Sequence, residues 1–529
     1  MNQQRYYIPF WLSLFVGFSS LSIEVLWIRV VSFSIHTVPQ AFSYVLILFL
    51  AGIAVGSYIG KRMCEAPNRD LYSVSAVVLI LAALVDFASL RLINFEDRIL
   101  NIGLYSLLIF VTAMLKSIVF PIAHHLGSNQ SKKVAASVSY VYFGNILGAT
   151  LGPLFTTFLL LRLLTTAESF LVVSIITLAT AFLAMMCSDR KSAILKFSIA
   201  PMLIAGIIFS SLPDDRLWYR LIDVGRKHAA SPSGQFKTNF ESQHGVINID
   251  ENDTGDLVFG FGKYDGRINT SLARNSNEID RAYRIAGFHS APKRVLIIGF
   301  STGSWANVIS WLPGVDEMDI VEINPDYIKM AKERPEVAGV INNKNASYHI
   351  DDGRRWLKRN PDQRFDLIVM NSSYHFRNSV THVLSKEMLE LVQSRLNKGG
   401  VFYFNTTGSP DAFRTAAEVF SVTSSYKYFV AASDSQFVLD RATTLKRLAM
   451  MKNDSKLVFG KSPAELEAFE KMLDIDMVEY LQVESSLNRK THIITDNTPI
   501  TEYQYGWLAG KLGLIDPEPW KANWPQSGK

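Results

Sequence analysis

Seven apolar runs, at about 8–33, 41–60, 71–93, 102–126, 136–161, 167–187 and 193–212, dominate the start of this chain. Each meets or approaches the ~20 residues that carry a helix across ~30 Å of hydrocarbon. Charge follows the same division. Residues 1–212 hold 14 Lys/Arg and 8 Asp/Glu, whereas the remaining 317 of the 529 residues hold 39 and 40. A purely soluble protein, a disordered chain and a disulfide scaffold are all excluded, the last because Cys64 and Cys187 are the only cysteines. The net charge of +5 comes from the apolar part, and the slightly acidic remainder gives no basis for nucleic-acid binding. The first run is too long for a cleavable signal, carries Glu24 and Arg29, and is followed by further spans.

The predicted organisation is a membrane α-helical bundle of about seven spans over 1–212, a connector with β-hairpins over 213–280, an α/β Rossmann-like domain over 281–450 and a helical segment over 451–529. The run 136–161, with Gly144, Gly148, Gly152 and Pro153, is expected to be kinked or broken. Arg5, Lys61, Arg62, Arg69, Lys132, Lys133, Arg190, Lys191 and Lys196 fall on one side of the spans, which places the N-terminus in the cytoplasm. Seven crossings would then leave 213–529 outside. The expected location is nevertheless a bacterial inner membrane with a cytoplasmic soluble domain, one run not crossing. Within the spans, Glu24 and Asp86 are the leading functional candidates, since a charge in lipid is costly; Arg29 and Lys116 read more simply as paired or snorkelling residues.

The segment 240–272 alternates apolar and polar residues around Asn-Asp and Asp-Gly steps, the pattern of β-hairpins. Short apolar strands then alternate with helices: RVLIIGF (294–300), MDIVEINP (318–325), ASYHIDDGRRWL (346–357), FDLIVMNSS (365–373) and GGVFYFNTT (399–407). That rhythm predicts a doubly wound sheet with its ligand at the carboxyl ends of the strands. Gly299 and Gly303 allow a tight turn at a helix N-terminus. Glu322 ends the next strand, where an acid binds ribose hydroxyls, and Asp352 ends the third, where it can accept from an adenine amino group. The set Gly299, Thr302, Gly303, Glu322, Asp352 and Gly353 therefore predicts an adenosine-type ligand. No Cys/His metal spacing, P-loop or G-x-S-x-G is present, and no metal is expected. Arg354 and Arg355 read as a solvated helix face.

The stretches ESQHGVINI, YDGRINTS, KRVLIIGFSTGS, DIVEINPDYI, HIDDGRRWL, FDLIVMNSS and LNKGGVFYFN resemble spermidine synthases (polyamine aminopropyltransferases). SSLSIEVLWIRVVSF, FLAGIAVGSYIGKR, YFGNILGATLGPLF and TDNTPITEY resemble the branch with a fused multi-spanning domain. The resemblance implies a membrane-bound, spermidine synthase-like enzyme that takes S-adenosylmethionine or its decarboxylated form as substrate, with an amine acceptor possible and an oligomer compatible. The departures fall on the polyamine side. Thr302 replaces an acid of the glycine turn, and Asn371-Ser372-Ser373-Tyr374 replaces the family's D-S-S-D. Asn269 stands for the glutamine of D-G-x-x-Q, and the Y-H-E motif falls at Arg281-Ala282-Tyr283. An Asn amide does not take up a proton from an attacking amine. Asn371, Tyr374 and His375 are the catalytic candidates, with His349 and His382 behind them, and Asn269 and Tyr283 are the substrate-side ones. The expected chemistry is aminopropyl transfer or cleavage to methylthioadenosine rather than spermidine synthesis by the usual aspartate. The alternatives are an S-adenosylmethionine-dependent methyltransferase and a non-catalytic nucleoside-sensing or transport protein.

Overall fold

A computed structural model describes residues 4–93, 98–128, 134–188, 217–222, 236–371, 374–453, 456–459, 462–487 and 489–504. The apolar run 193–212, the connector 223–235, Ser372, Ser373 and the segment 505–529 lie outside these residues. The chain divides into two compact units, Met1–Val246 and Ile247–Lys529.

The first unit contains α1 (Gln4–Ser34), α2 (Gln40–Glu65), α3 (Leu71–Leu92), α4 (Arg98–Ser128), α5 (Val134–Phe155) and α6 (Thr166–Met186). Among the described residues six helices are long and apolar enough to cross a bilayer, from Tyr7–Ser34 to Thr166–Met186. They match the first six apolar runs; the seventh is 193–212. Exposed apolar side chains crowd α2 (Phe42, Ile47, Leu50, Tyr58) and α5 (Tyr142, Phe143, Ile146, Leu154). An apolar surface of that extent needs a cover other than water.

Glycine spacing sets how these helices pack. Gly52, Gly56 and Gly60 on α2 lie so close to α4 that an added methyl would strike the carbonyl oxygens of Phe110, Met114 and Ile118. Gly144, Gly148 and Gly152 on α5 meet the carbonyls of Phe10, Leu14 and Phe18 on α1 in the same way. The predicted break in 136–161 is thus not made by its glycines, which sit in unbroken helix. It comes after Pro153, where α5 passes into a π-helical turn, Thr156–Leu160, before a last turn, Leu161–Leu163.

The second unit is α/β. After β1 (Thr238–Ser242), strands β2 (Gly245–Asp250), β3 (Leu257–Gly260) and β4 (Lys263–Arg267) pair antiparallel in sequence, with a bulge between Val258 and Phe259. The main sheet runs in the order β7 (Ala346–Ile350), β6 (Glu317–Glu322), β5 (Arg294–Ile298), β8 (Phe365–Met370), β9 (Leu396–Asn405), β11 (Phe429–Ser433), β10 (Val422–Tyr426), with a two-residue strand, Val478–Glu479, at the edge. The first five are parallel and β11 and β10 are antiparallel. Leu296, Ile298, Ile368, Met370, Phe402 and Phe404 are buried in one core with residues of the covering helices. Burial on both faces explains why these strands read as continuous apolar runs. Chain order reverses between β5 and β8, so the loops leaving those two strands border one crevice.

Candidate active site at the carboxyl ends of the strands

The loop after β5 is bent by three left-handed residues, Gly299 (φ 88°), Ser301 (φ 49°) and Gly303 (φ 79°), before α7 (Ser304–Ser310) begins. A side chain at Gly303 would strike the Phe300 ring, and one at Gly299 would crowd the Asn371 carbonyl. Glu322 is buried against this loop. Its Oε2 accepts from the Phe300 amide (2.7 Å) and the Ser301 amide (3.5 Å), and its Oε1 from the Asn324 amide (2.8 Å). Burial raises its pKa, and these three amides oppose the rise. The glycine turn thus fixes the carboxylate and fills three of its ~four lone-pair sites, which leaves one on Oε1 for a ribose hydroxyl. Asp352 caps α8 (Gly353–Arg359) by accepting from the Arg355 amide at 2.8 Å, and a methyl at Gly353 would strike Ile298. Asp352 also lines an open pocket of about 410 Å³ with Arg354, Lys358, Ser379, His382 and Asp496.

Beside the glycine turn lies a group that the sequence reading passed over. Ser301 Oγ donates to Asp265 Oδ2 at 3.0 Å, and the Tyr327 hydroxyl hydrogen-bonds the same carboxylate. Arg377 faces Asp265, Tyr327 and Tyr374; burial lowers its pKa and the Asp265 carboxylate opposes that. Lys263, 3% exposed, places its ammonium 4.6 Å from the Tyr374 ring centre and 5.2 Å from that of Phe376. The only sequence signal was the Y-D-G step, read as a turn, with a lysine two residues before its aspartate.

The loop after β8 begins with Asn371, whose Oδ1 accepts from Asn405 Nδ2 at 3.0 Å. His375 does not stand in the crevice as a base. It is buried, which pulls its pKa down to about 3, and it is neutral near pH 7. His349 bonds Asp319 at 2.8 Å, and His382 is half exposed near Asp496. Asn269 is buried in a turn, bonded to Ser271 and Asn277. Tyr283 is fully buried, donates to the Thr270 carbonyl (2.7 Å) and packs on Phe459 and Phe469. Thr302 is buried and bonded to Ser304. The structure therefore gathers Gly299, Gly303, Glu322 and Asn371 around the crevice, while Asn269, Tyr283 and His375 lie in packed surroundings.

Arg354 corrects the expectation of a solvated face: it holds Asp496 in a two-point ion pair, 2.6 Å at each contact, and keeps the Asp496 carboxyl down at about 2. Asp496 belongs to T-D-N-T-P-I-T-E-Y, three residues of which fasten the segment after β8. Asp496 accepts from Ser385 Oγ, Thr501 Oγ1 donates to the His375 carbonyl, and Glu502 accepts from the Thr381 amide. Asp86 is wholly buried in the first unit and paired with Lys116 at 2.7 Å, and Glu24 is buried on α1. Among the described residues no group of three or more His, Cys, Asp or Glu is placed to hold a metal.

Comparison with known proteins agrees with the C-terminal reading. Residues 285–439 match the spermine/spermidine synthase domain. Spermidine synthase 1 of Hyoscyamus niger is 32% identical over 111 residues, 21% of this chain and 35% of that protein. A polyamine aminopropyltransferase of Agathobacter rectalis is 31% identical over 123 residues, 23% of this chain and 42% of that one. The chain thus spans about a third of the length of the first of these curated relatives. A crystal structure of a spermidine synthase in complex with the transition-state analogue AdoDATO aligns over 53% of this chain and 89% of its own, with 17% identity and a TM-score of 0.35. The C-terminal region of this chain, with its glycine turn, the acid after β6 and the strand order described above, is thus similar to the spermine/spermidine synthase domain over residues 285–439, and it follows an N-terminal region of long apolar helices.

Proposed function

We propose that this chain is a multi-pass membrane protein whose α/β unit binds S-adenosylmethionine or its decarboxylated form, and that it does not make spermidine by the usual aspartate. The observation that carries the second half is Lys263. Its ammonium rests on Tyr374 and Phe376, beside the loop where Asn371 stands in place of a carboxylate. A diamine entering there would meet a cation already in place, and Arg377 interacts electrostatically with the same Tyr374. Glu322 and the glycine turn support the adenosyl side. Transfer of a propyl or methyl group, or cleavage to methylthioadenosine, remains open to a sulfonium held in this crevice, since each of its three carbons is electrophilic. For sidedness, six crossings would return the chain to the face on which it began, which reconciles the charge count with a cytoplasmic α/β unit.

The test is a direct product assay. Given decarboxylated S-adenosylmethionine and putrescine, the purified full chain should form spermidine at least ~10²-fold below the ~1 s⁻¹ typical of enzymes, because general-base catalysis alone is worth ~10²–10⁴. Spermidine at ordinary rates would refute the reading. Glu322→Ala should weaken adenosyl-ligand binding roughly ten- to a hundredfold in calorimetry, the loss of a hydrogen bond to a charged group being worth ~1.5–3 kcal/mol. A second reading, a sensor or carrier, is favoured by the buried Asp86–Lys116 pair.

A further inference from the structure

The packing contacts of the first unit repeat. On α4 the carbonyls touched by the glycines of α2 belong to residues 110, 114 and 118; on α1 those touched by the glycines of α5 belong to residues 10, 14 and 18. Residue n of α1 thus corresponds to n + 100 of α4, and Gly52, Gly56 and Gly60 of α2 correspond to Gly144, Gly148 and Gly152 of α5, at n + 92. The third helices follow suit at n + 95. The N-cap Asp70 of α3 accepts from the amide of Ser73, and the N-cap Thr165 of α6 from that of Glu168. Nine of the twelve buried positions of α3 fall on buried positions of α6. Helices α1–α3 and α4–α6 are therefore two copies of one unit. An odd number of helices per copy makes them run in opposite senses, and α2 packs parallel to α4 as α5 does to α1, which is the contact pattern of an inverted repeat.

The copies differ where they meet. Asp86 on α3 accepts from Thr112 Oγ1 and pairs with Lys116 on α4, and Lys116 Nζ also donates to the Ser19 carbonyl on α1 at 3.1 Å. Both charged side chains have no exposure. The corresponding residues of the other copy are Ala181, Leu12, Val16 and Val119, all buried and apolar. The same packing is thus built without any charge, so the fold does not require this pair; a buried pair is often no more stabilising than well-packed apolar residues.

We propose that Asp86 and Lys116 form the binding centre of a carrier, and that its solute is zwitterionic, an ammonium and a carboxylate on one small molecule as in an α-amino acid. Charge balance selects this class. An internal ion pair in a medium of low dielectric opens only if each partner receives a counter-charge, and a zwitterion brings both without a net charge. A lone cation would leave Lys116 unmatched, and a lone anion would leave Asp86 unmatched. The proposal rests on the reading that the six helices span a bilayer, and it is independent of the chemistry of the α/β unit.

The test uses the full chain reconstituted in lipid vesicles and a mixture of the twenty labelled L-amino acids, with labelled putrescine and succinate as single-charge-type controls. Saturable amino-acid uptake is expected, reduced at least tenfold in the double variant Asp86→Ala/Lys116→Val, which copies the other half and keeps the helical content. The exchanged pair Asp86→Lys/Lys116→Asp should recover part of it. Uptake no faster than in protein-free vesicles, or undiminished in the double variant, overturns the proposal, as does uptake of putrescine or succinate in place of the amino acids. Alkaline carbonate distinguishes the failure of the underlying premise: a chain that it strips from membranes does not span them.

Discussion

Glycine does opposite work in the two units. In the bundle, Gly52, Gly56, Gly60, Gly144, Gly148 and Gly152 have ordinary helical backbone, and their value is the missing side chain that lets two helices touch. In the α/β unit, Gly299 and Gly303 have positive φ, and their value is a backbone that turns where other residues resist. Titratable groups divide in the same way. The bundle buries Asp86 and Lys116 as a pair, whereas the α/β unit buries His375 as a neutral group. Spacing is therefore the information in one unit and conformation in the other, and substitutions separate the two.

The largest effect is expected at Gly148. Leucine there would drive a side chain into the Leu14 backbone, and since overpacking alone costs ~1–3 kcal/mol where side chains can adjust, a backbone collision should cost more and abolish the folded bundle. Gly103, with nothing within 4 Å, is the control: Gly103→Leu should leave thermal melting in detergent unchanged. Equal melting of the two variants would break the comparison.

Gly303→Ala tests conformation instead. Left-handed backbone costs an L-residue ~1–2 kcal/mol, to which the Phe300 contact adds. Adenosyl-ligand affinity should fall with stability in this variant, while Gly148→Ala should leave the α/β unit's ligand affinity intact. His375 sharpens the contrast in charge. Its folded pKa of about 3 lies below its unfolded value, so stability is fully present above pH ~6.5 and is lost as pH falls toward 3, by up to ~1.4 kcal/mol per pH unit. Urea unfolding of His375→Gln against wild type should show that slope removed.

The smallest expected effect is at Asp496. A carboxylate held at about 2 contributes stability above its unfolded pKa of ~3.9 and loses it as pH falls through about 2. The pair is partly exposed, so screening leaves ~1 kcal/mol at pH 7 for Asp496→Asn. The variant should also flatten the acid limb below pH 4; an unchanged limb would place the acid sensitivity elsewhere.

The parallel strands were legible because each is buried on both faces and written as an apolar run. The expected 294–300 and 365–373 contain the observed Arg294–Ile298 and Phe365–Met370, and the expected 318–325 overlaps Glu317–Glu322, which begins one residue earlier. Six of the apolar runs were legible for a different reason, their length and apolarity, even where α2 and α5 leave apolar side chains exposed. What sequence did not show is where loops cross. Lys263 reaches Tyr374 from a strand 111 positions earlier, and Asp265 meets Ser301 across 36. His375 looked available because it follows a strand end, and only packing reveals that it is buried. The repeat was hidden because its two copies share little beyond glycines four residues apart.

The fastening of the β8 loop by T-D-N-T-P-I-T-E-Y has a consequence for synthesis. Asn371 is translated 125 residues before Asp496, yet the loop that follows Asn371 is held by Asp496, Thr501 and Glu502. A nascent chain still lacking those residues has the glycine turn, the parallel strands and the bonds from Asn405 and Thr407 to the loop, but not the three later anchors. The crevice thus gains these anchors only once residues 496–502 have left the ribosome, so a product stalled or cut before them carries a folded sheet with an unfinished site.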